Sequence, residues 1–197
     1  MQTAIQKRSY TPEEYLELEE KAEFRSEYRD GEIIPMTGGT TNHNKIALNI
    51  AFALKSALRG QDYEIYMADV RLWLPRYRQY TYPDVMVIKG QPVYTGTNTT
   101  TVTNPSLIVE VLSQSTKNYD QGDKFHYYRS IPEFQEYILI DQYQYHVMQY
   151  VKTAADQWLF TELESESATL FLSTINLQIS LPEIYEKVDF SNSSDEE

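Results

Sequence analysis

Two stretches decide how this chain reads: Tyr82-Pro83-Asp84-Val85-Met86-Val87-Ile88 and Ser106-Leu107-Ile108-Val109-Glu110-Val111-Leu112-Ser113. Both are short apolar runs rich in β-branched residues, bounded by Pro, Ser or a polar turn, which is the pattern of buried strands. Each also delivers one carboxylate. Asp84 follows Pro83, and Glu110 is enclosed by Leu107, Ile108, Val109, Val111 and Leu112. A carboxylate among such neighbours costs several kcal/mol unless a cation or a set of donors compensates it. Two of them on neighbouring strands point to a hard divalent cation with oxygen ligands.

Working outward, Thr11-Pro12-Glu13-Glu14 predicts a helix start, with Thr11 as N-cap, Pro12 at the first position and Glu14 completing a capping box. The helix is expected to run to about Ala22. Residues Glu27 to Met36 read as a hairpin turning at Asp30-Gly31. After a Thr37-Gly38-Gly39-Thr40 loop, Thr41 or Asn42 is expected to cap a helix whose core stripe is Ile46, Leu48, Ile50, Ala51, Leu54 and Leu58. Tyr63 to Leu74 alternates like one strand, Tyr82 to Ile88 is the strand bearing Asp84, and Lys89 to Asn104 is an irregular loop. Past Glu110, a helix is predicted from about Tyr119 to Arg129, then a hairpin around Asp141-Gln142 and further short strands near 157–163, 170–172 and 177–179. This is an α+β protein: a central mixed sheet flanked by helices, with extra C-terminal strands. The expected organisation is one domain over residues 1–190 and a disordered acidic tail over 191–197.

Composition narrows the function. With no cysteine, disulfides, thiolate metal sites and cysteine nucleophiles are excluded. No apolar run approaches the roughly 20 residues of a membrane span, and Met1 to Tyr10 has no signal-like apolar region, so a cytoplasmic protein is expected. The net charge of −12 argues against a general nucleic-acid coat protein. The stretch from Pro35 to Ser130, however, carries 10 Lys and Arg against 7 Asp and Glu, so the candidate site does not lie in the acidic part. The 17 tyrosines read as a sheet surface or dimer face in preference to base-stacking platforms.

The order of elements resembles the PD-(D/E)XK nuclease superfamily, and within it the Uma2-like (DUF820) restriction-endonuclease-like family. The resemblance runs from about Tyr10 to Asp141. It rests on Glu27 with Asp30-Gly31-Glu32, His43 at a helix start, Pro83-Asp84-Val85, Val109-Glu110-Val111-Leu112-Ser113, Ser115-Thr116, and Asp120, Lys124 and Tyr128. It implies a mixed sheet of four to five strands and a metal-dependent phosphodiesterase ancestry. It also implies Mg²⁺ or Mn²⁺ on Asp84 and Glu110, DNA as substrate, and Lys124 acting on the reacting phosphate, with Glu27 as a further acid and His43 as an auxiliary group. The superfamily's lysine two residues after the glutamate is here Leu112, and Lys124 on the following helix matches its replacement. Simpler readings stand beside these: a capping role for Asp84, an edge-strand position for Glu110, an Asp120–Lys124 surface pair at i,i+4, a local helix-start bond for His43, and core packing for Tyr127 and Tyr128. The expectation is a metal-dependent endonuclease, expected as a homodimer and not in a membrane; the alternative is a non-catalytic nuclease-fold module that binds protein or nucleic acid.

Overall fold

The computed structural model describes residues 8–114, 116–154 and 157–191. Ser115 of the family resemblance and residues 192–197 of the expected tail lie outside the described residues, as do 1–7 and 155–156. The N-terminal helix α1 (Pro12–Glu19) starts as the sequence predicts, with Thr11 and Glu14 closing the capping box, but it stops three residues short of Ala22. Next come β1 (Ser26–Arg29) and β2 (Glu32–Pro35), joined through Asp30 and Gly31, both at positive φ. Helix α2 (Thr41–Ala57) is capped by Thr40, whose hydroxyl accepts from the His43 N–H at 3.1 Å, one residue before the expected caps. Its buried face uses Ile46, Ala47, Ile50, Ala51 and Leu54. Leu48, expected in that stripe, is 56% exposed.

The stretch expected as one strand is two, β3 (Tyr63–Met67) and β4 (Arg71–Leu74), and they belong to different sheets. Ala68 breaks the run at a positive φ of 38°, a conformation that ends a ladder. After a 3₁₀ turn, β5 (Gln79–Thr81) leads to β6 (Val85–Lys89), which leaves Asp84 in the bend just before its strand. The Lys89 to Asn104 loop contains the short β7 (Thr101–Val102). Strand β8 (Leu107–Leu112) is buried at every position. The following helix is continuous over 117–128: α3 (Lys117–Tyr119), a π-helical segment (Asp120–Lys124) and α4 (Phe125–Tyr128). Five strands follow the Phe134 region: β9 (Glu136–Asp141), β10 (Val147–Ala154), β11 (Gln157–Leu163), β12 (Thr169–Leu172) and β13 (Leu177–Ser180), and a last short helix α5 (Leu181–Ile184) closes the fold.

The main sheet has six strands in the order β11-β10-β9-β8-β6-β3, parallel only between β8 and β9. A second sheet, β2-β1-β5-β4-β7, and the β12-β13 ribbon complete the architecture, a larger set than the four to five strands the resemblance implied. Strand alternation sorts the core. Val85, Val87, Val109, Val111, Ile138 and Ile140 pack against α2, while Met86, Ile88, Ile108, Leu112, Tyr137 and Leu139 pack on the other face with Tyr128 and Phe134. No helix among the described residues is long and apolar enough to cross a membrane.

Candidate active site

The pairing of β6 with β8 sets the centre of the site. Val85 pairs with Val109 and Met86 with Ile108, so one step further along the register Asp84 stands opposite Glu110. The two are linked directly: the Asp84 N–H reaches Glu110 Oε2 at 3.4 Å, and the Val111 N–H donates to Asp84 Oδ2 at 2.7 Å. Glu110 has the parity of Ile108 and Leu112, so its side chain leaves the sheet on the face covered by the helix over 117–128.

That helix supplies the cation. Lys124 Nζ lies 3.0 Å from Glu110 Oε1 and 3.0 Å from Asp120 Oδ1. Both contacts are buried ion pairs. The i,i+4 pair, whose simpler reading was a surface stabiliser, therefore exists, but it is buried and joined to Glu110. Tyr128 donates to Glu110 Oε1 at 2.7 Å, so it belongs to the site as well as to the core.

His43, at the start of α2, brings Nε2 to 3.1 Å from Asp84 Oδ2. Gly39 keeps the approach to this ring open, since a Cβ there would sit 3.1 Å from Nδ1. Glu27, on β1, accepts from Arg29 Nη2 at 2.6 Å and from the Thr81 hydroxyl. Arg29 in turn lies over the ring of Tyr119, 3.6 Å from its centroid. All five residues singled out in the sequence, Glu27, His43, Asp84, Glu110 and Lys124, line one open cavity of about 420 Å³. Sequence reasoning missed Arg29 and Tyr119 as members, because their stacking joins a hairpin to a helix ninety residues away. Among the described residues, no three His, Asp or Glu side chains stand ready as a metal-ligand cluster.

The electrostatics are those of a crowded anionic site. Burial, opposed by the Lys124 charge and reinforced by Asp84 and Asp120, pushes the Glu110 carboxyl up to about 8. Lys124 is held well above its ordinary value: burial opposes the charge, but Glu110, Asp120 and Glu27 outweigh it. For His43, burial disfavours the imidazolium, yet the bond to Asp84 and the neighbouring carboxylates raise its pKa. For Glu27, burial acts upward and is overcome by Lys124, Thr81 and Arg29, which lower it.

The mixed sheet and its flanking helices make an α+β fold that carries two acids across adjacent strands and a helix-borne lysine over them. A crystal structure titled as a putative nuclease belonging to DUF820 from Anabaena variabilis shares this fold, with a TM-score of 0.71 at 20% identity over 89% of this chain and 97% of that one. Residues 12–182 match the family model Uma2, described as "Putative restriction endonuclease". Two proteins of Synechocystis sp. are relatives: the uncharacterized protein sll1609, 46% identical over 85% of this chain and 94% of its own length, and the uncharacterized protein slr1290, 35% identical over 91% and 93%. The chain belongs to the Uma2 family.

Proposed function

We propose that the protein is a metal-dependent endonuclease that hydrolyses DNA phosphodiester bonds, with Mg²⁺ or Mn²⁺ held by Asp84 and Glu110. The observation that carries this reading is the placement of Asp84 opposite Glu110 at the wall of an open cavity, beside a third carboxylate and beneath Lys124. Among the described residues that line the cavity, the carboxyl groups of Glu27, Asp84, Glu110 and Asp120 face two permanent cations, Arg29 and Lys124. A divalent cation would offset that excess, and the weakly bonded Glu110 Oε2 is an oxygen suited to it. When bound, such an ion supplies a Lewis acid and an acidified water.

The remaining work falls to side chains. Lys124, fixed between Glu110 and Asp120, offers a permanent positive charge to a phosphate oxygen as charge builds on it. Tyr128 holds Glu110 in place from the buried side. His43, anchored through Nε2 to Asp84, is left with Nδ1 to meet a phosphate or carry a proton. Exposed Leu159 and Phe160 on the edge strand β11 support a homodimer as the working assembly.

The test is plasmid cleavage with Mg²⁺ or Mn²⁺ by the wild type, Asp84→Ala and Glu110→Ala. Metal-dependent cutting by the wild type alone is expected. Full-rate cutting by both variants would remove the reading, and no cutting by any of the three at low salt would favour the non-catalytic module.

A further inference from the structure

The mouth of the cavity continues into a line of aromatic rings that the site chemistry does not use. Tyr119 lines the cavity. Tyr127 stands 6.4 Å from it between ring centroids, and Tyr77 stands 4.7 Å from Tyr127. The rings are tilted by 56° and 51°, so they do not stack face to face on one another, and Arg29 covers one face of Tyr119. All three are half-buried, and Tyr77 comes from the 3₁₀ turn of the second sheet while the other two come from the helix over 117–128. Tyr127 rests one side on the second core, but that core does not enclose it as it encloses Tyr128 and Tyr137.

Cations alternate with these rings. Arg29 lies 3.6 Å over Tyr119, and Arg76 lies 5.7 Å from the centroid of Tyr77. The exposed His126 bonds the Tyr77 hydroxyl through Nε2 at 2.9 Å. Aromatic faces interleaved with guanidinium groups, in a line that ends at a buried lysine, match the chemistry of an unpaired polynucleotide: bases offer free π-faces and phosphates offer charge. Duplex DNA keeps its base faces stacked inside and has little to give such a surface.

We propose that Arg76, Tyr77, His126, Tyr127, Tyr119 and Arg29 form a track that binds single-stranded DNA and leads it into the cavity, so that an unpaired strand is the preferred substrate. The preference as substrate rests on the endonuclease reading; the binding does not.

The experiment is fluorescence anisotropy of a short labelled oligonucleotide, alone or annealed to its complement, with the full chain in EDTA so that no turnover intervenes. The single strand is expected to bind about tenfold tighter than the duplex, with Tyr127→Ala loosening it about tenfold and Tyr127→Phe holding it within about twofold. Arg76→Ala is expected to reduce the slope of log K against log salt by about 0.7. Thermal melting of each variant checks that the fold survives, and Tyr77→Ala repeats the test at a second ring. Equal affinity for strand and duplex, or unchanged binding in both alanine variants, overturns the track. A protein that binds the strand through Tyr127 but never cuts DNA would keep the track and discard the endonuclease. One that cuts duplex DNA with metal and ignores both tyrosines would do the reverse.

Discussion

Two buried glutamates on the neighbouring parallel strands β8 and β9 have opposite fates. Glu136 is fully buried, and neutral donors satisfy it: Gln149 Nε2 at 2.6 Å and the Ser173 N–H at 3.2 Å on one oxygen, the Thr174 N–H at 3.0 Å on the other. It fastens the β12–β13 turn to the main sheet. Glu110 is as deeply placed, yet it shares its surroundings with Asp84 and Asp120, takes a lysine and a tyrosine on one oxygen, and faces a cavity. Burial of an acid therefore does not mark a site. Burial together with like charges and an opening does.

This contrast makes the sharpest predictions. Glu110→Gln keeps the size of the side chain and removes its charge, and DNA cleavage is expected to fall about a thousandfold or more while circular dichroism stays unchanged. Glu136→Ala is expected to do the reverse in kind: it strands three donors, costs about 3 kcal/mol in chemical denaturation, and leaves the rate per folded molecule intact. Equal loss of activity in both variants would break the distinction.

The pH dependence is a smaller effect. The folded state holds the Glu110 proton well above the ordinary carboxylate range, so between about 4.5 and about 8 the unfolded chain has lost a proton that the folded one keeps. Stability in metal-free buffer is therefore expected to decline as pH rises through that window. His43, with its raised pKa, adds to the decline in the same direction. Glu110→Gln should flatten the melting-temperature profile there; a variant profile parallel to the wild type would show that Glu110 ionises normally. Smallest of all, His43→Gln is expected to lower cleavage by about a hundredfold while leaving the metal on its carboxylates.

Much of this is legible in the sequence alone. Asp84 and Glu110 stood out because an acid inside a β-branched run must have a partner, and strand alternation then fixes the face it leaves by. The capping box at Thr11 and the turn at Asp30-Gly31 are local and read directly. What failed was long-range. Tyr63 to Leu74 alternates throughout, and only a tertiary requirement turns the chain at Ala68 and sends its two halves to different sheets. Leu48 fits the stripe of α2 but lies at its margin, where Ala47 takes the buried position. Glu136 begins an apolar run just as Glu110 interrupts one, and nothing nearby in the sequence tells which donors will meet it. Tyr119 and Tyr127 look like any tyrosines until Arg29 and Tyr77 arrive from other elements.

The most direct measurement is Mn²⁺ binding by isothermal titration calorimetry to the wild type, Glu110→Gln and Glu136→Gln. One site is expected in the wild type, retained in Glu136→Gln and lost in Glu110→Gln. Mn²⁺ bound with equal affinity by all three proteins, or by none, would contradict it.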